Sequence, residues 1–163
     1  MSDLNAELIT TFFFRYIPVH EIVHTLGPSK AKALPAFHAL TGCDTTSAFY
    51  GKGKKTTWSV WQSLPELTLP LELLSSPNPT YDMISAHSST LQRFIMRLYS
   101  VSEEHITVDA ARLSLFLHRG RNFDNMPPSS DALHQHLLRV AYQVVEFYKC
   151  VTGWSKYNKL PIF

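Results

Sequence analysis

Apolar and polar positions along the chain recur mainly with a helical period. After Pro18, which suits a first helical turn, Ile22, Val23 and Leu26 make the apolar side of a short helix that Gly27-Pro28 stops. A second helix is predicted from about Ser29 to Leu40, with Ala31, Leu34, Phe37 and Leu40 at three-residue steps and Pro35 bending it. Thr41-Gly42-Cys43-Asp44 breaks this pattern. Lys54 to Leu64 reads as a third helix carrying Trp58 and Trp61. Tyr81 to Tyr99 reads as one long helix with Ile84, Leu91, Phe94, Ile95 and Leu98 inward. Thr107 is placed to cap a helix ending near Arg119-Gly120. Pro127-Pro128-Ser129-Ser130 opens the last one, with Leu133, Leu137, Val140, Ala141, Val144 and Phe147 on one face.

One stretch is β-like: Ile9 to Ile17, rich in Thr and aromatics, with no partner strand in view. The expected fold is therefore mainly α, an orthogonal bundle of about five to six helices with at most one short N-terminal strand. Four prolines and two serines mark 65–79 as a linker. It divides the chain into a first portion, 1–64, and a helical continuation, 80–163, expected to pack on it.

Composition narrows the function classes. With 45% apolar, 12% aromatic and only 17% charged residues in 163, neither disorder nor a coiled coil fits. Two cysteines, Cys43 and Cys150, make neither a disulfide framework nor a four-cysteine zinc site. No apolar run reaches the ~18 residues of a membrane span, and no basic flank precedes an apolar stretch at Met1-Ser2-Asp3. The expectation is an intracellular chain, nuclear or cytoplasmic, not secreted and without membrane contact.

His20-Glu21-Ile22-Val23-His24 spells HExxH, which on a helix sets two imidazoles on one face with the glutamate as general base. Catalytic zinc needs a third protein ligand, and the eleventh position of the longer pattern is Lys30, an ammonium. A zinc peptidase built on His20, Glu21 and His24 is therefore rejected, and the two histidines read as surface residues. His38, His134 and His136 read as packed or solvent-facing, and no spacing supports a Cys43–histidine nucleophile pair.

The informative segment runs from Leu40 to Thr56. Asp44 follows a helix end in a glycine turn, and Gly51-Lys52-Gly53-Lys54-Lys55 opens the next helix. Glycines allow close backbone approach, and the first N–H groups of a helix lack partners, so such a start attracts phosphate. Residues 28–55 carry five lysines and one acid, net +4, against +2 for the whole chain. The Walker spacing is absent. The competing reading is an ordinary solvated Gly/Lys-rich turn.

At these residues, LTGCDTTSAFYGKGKKTTWSVW resembles the segment around the last catalytic aspartate and the helix–two-turn–helix of flap-endonuclease-like (XPG/PIN-type) nucleases. More closely, residues from about Phe14 to Gln143 are similar to a group of uncharacterised, often mobile-element-associated animal proteins with a PIN-like domain. The resemblance is strongest over 34–61 and extends to GRNFDNMPPSSDALHQHLLRVAYQ. It implies that Asp44 matches a carboxylate of a catalytic magnesium cluster. It implies also that Gly51, Lys52, Gly53, Lys54, Lys55 and Thr56 match a loop gripping the nucleic-acid backbone. Two-metal hydrolysis needs several carboxylates, and in the family the others lie upstream on the PIN sheet. Asp3 and Glu7 do not form those acidic motifs, so the β-like segment reads as a remnant of that sheet.

The expectation is a catalytically incomplete nuclease-like fragment that contacts DNA or RNA backbone without sequence preference. It uses no cofactor of its own, magnesium entering only with the full family site, and no small-molecule cofactor. The alternatives are an active magnesium-dependent, structure-specific nuclease completed by upstream sequence, and a protein-interaction module around Trp58, Trp61 and Trp154.

Overall fold

The structure is a computed structural model, and the residues it describes are 17–101, 107–119 and 126–152. The β-like stretch lies outside them except for Ile17, as does Trp154. Among the described residues the chain is mainly helical, as the apolar periodicity predicts. The helices are α1 (Val19–Leu26), α2 (Pro28–Leu40), α3 (Lys54–Ser63), α4 (Thr68–Leu74), α5 (Tyr81–Ala86), α6 (Ser88–Leu98), α7 (Val108–Arg119) and α8 (Ser130–Thr152), with a 3₁₀ turn at Pro65–Leu67. No described helix is long and apolar enough to cross a membrane.

Helix α2 packs against α1, α4 and α8. Its inward positions, Ala33, Ala36, Ala39 and Leu40, are fully buried, and three of them are small enough to let neighbouring backbones approach. Pro35 inside α2 contributes no N–H to the helical ladder. At the next residue, the Ala36 N–H donates to Ser75 Oγ (3.0 Å), a buried hydroxyl at the C-cap of α4. The irregularity in α2 is thus matched by a polar group from the element packed on it.

That element corrects the expectation for 65–79. The prolines there do not make a linker: Pro65 opens the 3₁₀ turn, and α4 follows directly. Leu67, Leu71 and Leu74 enter the same buried cluster as Phe37, Trp61 and Phe94. Proline in a first helical turn loses no hydrogen bond, so a proline-rich stretch with leucines four and then three residues apart is free to fold as a helix.

A second correction concerns 81–99. Instead of one helix there are two, α5 capped by Thr80, whose hydroxyl accepts from the Met83 N–H (3.3 Å), and α6 beginning after a break at His87 (φ −109°, ψ 11°). Ser85, Ser88, Ser89 and Thr90 cluster at that break, and such side chains compete with the helical ladder. The inward set is as predicted: Ile84, Leu91, Phe94, Ile95 and Leu98 are all buried.

Thr107 does cap α7, its hydroxyl accepting from the Ala110 N–H (3.2 Å). Ser129 caps α8 in the same way through Ala132 (3.2 Å), and Leu133, Leu137, Val140, Ala141 and Val144 are buried as the periodicity predicts. The short α1 departs from expectation. Ile22 and Val23 remain 44% and 43% exposed, and no α1 residue is buried among the described residues.

His136 ties α8 to the end of α2. It is buried, its Nε2–H donates to the Leu40 carbonyl (2.8 Å), and its ring meets Phe49 edge to face at 5.4 Å. Burial, reinforced by the Arg139 charge, holds its pKa below the ordinary histidine value despite the opposing Leu40 carbonyl. The folded state thus binds its proton less readily than the unfolded chain, for which the ordinary value is about 6.5. This contribution to stability is intact above that value and is lost as pH falls through it toward the lowered folded pKa. In urea titrations, wild type should lose more stability between pH 7.5 and pH 5 than His136→Gln. Parallel pH slopes would show that His136 is not the cause.

Candidate nucleic-acid interface

The segment 41–53 joins the C-terminus of α2 to the N-terminus of α3. Gly42 turns the chain at φ +98°, and a Cβ there would lie 2.6 Å from the Ala48 Cβ. Cys43 and Thr46 then exchange backbone hydrogen bonds (3.2 and 3.3 Å) around a two-residue tip, Asp44-Thr45. Side chains pin this tip to its surroundings. The Thr46 hydroxyl donates to the Ala39 carbonyl (2.6 Å), and the Thr45 hydroxyl donates to Gln143 Oε1 on α8. The Cys43 sulfur faces the hydroxyls of Thr46 (3.1 Å) and Thr45 (3.4 Å) rather than an imidazole.

Asp44 is exposed at the tip, and among the described residues no three metal-ligating side chains come together. His20, Glu21 and His24 are exposed on α1, with His20 Nε2 3.9 Å from Glu21 Oε1, and no third ligand joins them among the described residues.

The lysines expected to share one task have several. Lys54, the first residue of α3, turns back across the loop. Its ammonium donates to the His38 carbonyl (2.6 Å), the Thr41 hydroxyl (2.6 Å) and the Gly42 carbonyl (2.7 Å). An ammonium has three donors, so all are engaged. Two dipole effects agree with this arrangement: a cation is unfavourable at the N-terminus of α3 and favourable at the C-terminus of α2. Partial burial holds the Lys54 pKa below the ordinary lysine value, with Cys43 acting the other way. Burial, and next the Lys54 charge, also lower the pKa of His38 against the raising effect of Asp44. Lys30 lies over the rings of Trp58 and Trp61 (6.0 and 5.7 Å to the centroids), and Lys32 sits 3.5 Å from Glu72.

What faces outward is smaller than the sequence suggests. Gly51 (φ +67°) and Gly53 leave open space around the backbone. The Lys52 ammonium rests 5.0 Å from the centre of the Tyr99 ring, while Lys55 and Thr56 are exposed. Gly53 is the N-cap of α3, no side chain caps that helix, and no acid occupies its first turn. The N–H groups of Lys54, Lys55 and Thr56 precede the first intrahelical bond, Thr57 N–H to Gly53 O (3.1 Å).

Sequence reasoning missed Tyr99, the platform for Lys52, and the inward role of Lys54. A helix stop at Thr41-Gly42 leaves carbonyls in need of donors, and that was the available signal for Lys54. Comparison of the chain with protein-family models, curated proteins and solved structures returns no match.

Proposed function

We propose that the chain contacts the sugar–phosphate backbone of nucleic acid, without sequence preference, through the start of α3. It does so without a catalytic metal centre assembled from the described residues. The observation carrying this reading is the uncapped N-terminus of α3, with three unpaired leading N–H groups flanked by Lys52 and Lys55. Backbone amides and the positive end of the helix dipole favour a phosphate there, and Lys52 between the two glycines and Lys55 in the first turn of α3 add charge. The resemblance of 40–56 to the backbone-gripping loop of flap-endonuclease-like proteins supports the same reading. Lys54 is assigned a structural part.

Fluorescence anisotropy with duplex and flap DNA tests this. Two lysines on two phosphates give a slope of log K against log salt near −1.8, and each lysine removed should lower its magnitude by about 0.9. Lys55→Ala and Lys52→Ala should each do so with the fold intact. Lys54→Ala should instead lower stability by about 1 kcal/mol, since its bonds are charge-assisted but partly exposed to water. Absence of binding at about 50 mM salt, or slopes indifferent to Lys52 and Lys55, rejects the proposal. Cleavage with magnesium or manganese that Asp44→Asn abolishes would replace it with the nuclease reading.

A further inference from the structure

Helix α1 carries two imidazoles that neither the core nor the start of α3 uses. His20 and His24 are four residues apart on this helix, which sets their Cβ atoms about 5–6 Å apart on one face. That spacing lets both rings reach one metal ion at Zn–N bonds of about 2.0–2.1 Å. Both side chains are exposed. Among the described residues, the one polar contact of either ring is the approach of His20 Nε2 to Glu21 Oε1 (3.9 Å). A carboxylate beside one ring nitrogen leaves the other nitrogen for a metal, and such an outer carboxylate orients a ligating imidazole.

A second row runs alongside. Val19 and Val23 are also four residues apart, each one residue before a histidine and therefore about 100° round the helix from it. They are 62% and 43% exposed. One side of α1 thus presents a row of imidazoles and a row of apolar side chains together, on a helix with no buried residue.

We propose that His20 and His24 are half of a structural zinc site, completed by the same two residues of a second copy of this chain. The incomplete ligand set points to that occupant. Structural zinc takes four protein ligands in a tetrahedron, and no third ligand joins this pair among the described residues. A two-fold axis through the ion brings the other two from the identical patch, and the same contact covers the Val19–Val23 rows. Imidazole nitrogen suits zinc, copper and nickel, and of these zinc takes the tetrahedron that two crossing pairs make. Four imidazoles leave no position for water, so this site differs from the hydrolytic one excluded above. The proposal is independent of the reading of α3.

Sedimentation velocity of the full chain at pH 7.5, titrated with zinc chloride, tests this. Half an equivalent of zinc should double the mass of the sedimenting species, and EDTA should reverse the change. The dimer should contain one zinc per two chains by elemental analysis. His20→Ala and His24→Ala should each stay monomeric at the same zinc concentration. Both are exposed positions, so the melting temperature without zinc should equal that of wild type. A mass that zinc does not change, one zinc held by a monomer, or zinc-driven dimers that persist in either variant overturns the proposal.

Discussion

Replacing Gly42 with alanine is expected to lower stability by about 2–6 kcal/mol, a large share of the stability of a marginal domain. Two costs combine. A side chain at φ +98° is strained by about 1–3 kcal/mol. The new methyl would also stand 2.6 Å from the Ala48 Cβ and 2.8 Å from its Cα, which only a backbone shift relieves, at about 1–3 kcal/mol more. Gly51 is the built-in control. It too has positive φ (+67°), but nothing lies within 4 Å of an added Cβ. Gly51→Ala should therefore show the conformational cost alone, about 1 kcal/mol. Urea midpoints read by circular dichroism check both, and equal losses at the two glycines would show that contact with Ala48 does not matter. The consequence reaches the candidate interface, because the turn at Gly42 presents its carbonyl to Lys54.

Much of this architecture was legible from the chain because burial in a helical protein repeats with the helix. The inward faces of 81–99 and 130–147 could be read off their leucines, valines and phenylalanines, and Thr107 announced its helix by the chemistry of a cap. The misreadings share one physical origin: a polar or proline-rich stretch has no single local meaning. Pro65 and Pro70 suggested a linker, yet Leu67, Leu71 and Leu74 had a core to enter, and tertiary burial outweighed the breaker signal. The serines at 85–89 suggested no break, because apolar spacing continues across them. The lysines of 52–55 misled most. A charge count places cations along the chain but not in space. Lys54 finds three acceptors across the loop, and Lys52 finds the ring of Tyr99, which is distant in sequence.

The largest side-chain effect should come from Trp61→Ala, at about 4 kcal/mol. Trp61 is 1% exposed and serves three contacts at once. Its ring stacks on Phe37 of α2 at 4.8 Å with 30° between the planes, and Trp58 meets it edge to face at 5.1 Å. Its indole N–H donates to the Thr68 hydroxyl (3.1 Å) at the start of α4. Removing the ring leaves a cavity beside Phe37 and Trp58, so the transfer and cavity costs both apply. Trp61→Phe keeps the stack on Phe37 but loses the donor and part of the volume, and should cost about 1–2 kcal/mol. Because this ring anchors α3 to α2 and α4, hydrogen exchange in the alanine variant should quicken first at 54–63, before the core of α6 and α8 opens. Uniform loss of protection would mean that α3 is held by the whole core rather than by Trp61. Localised loss together with weakened DNA binding would place Trp61 as the support on which the exposed start of α3 depends.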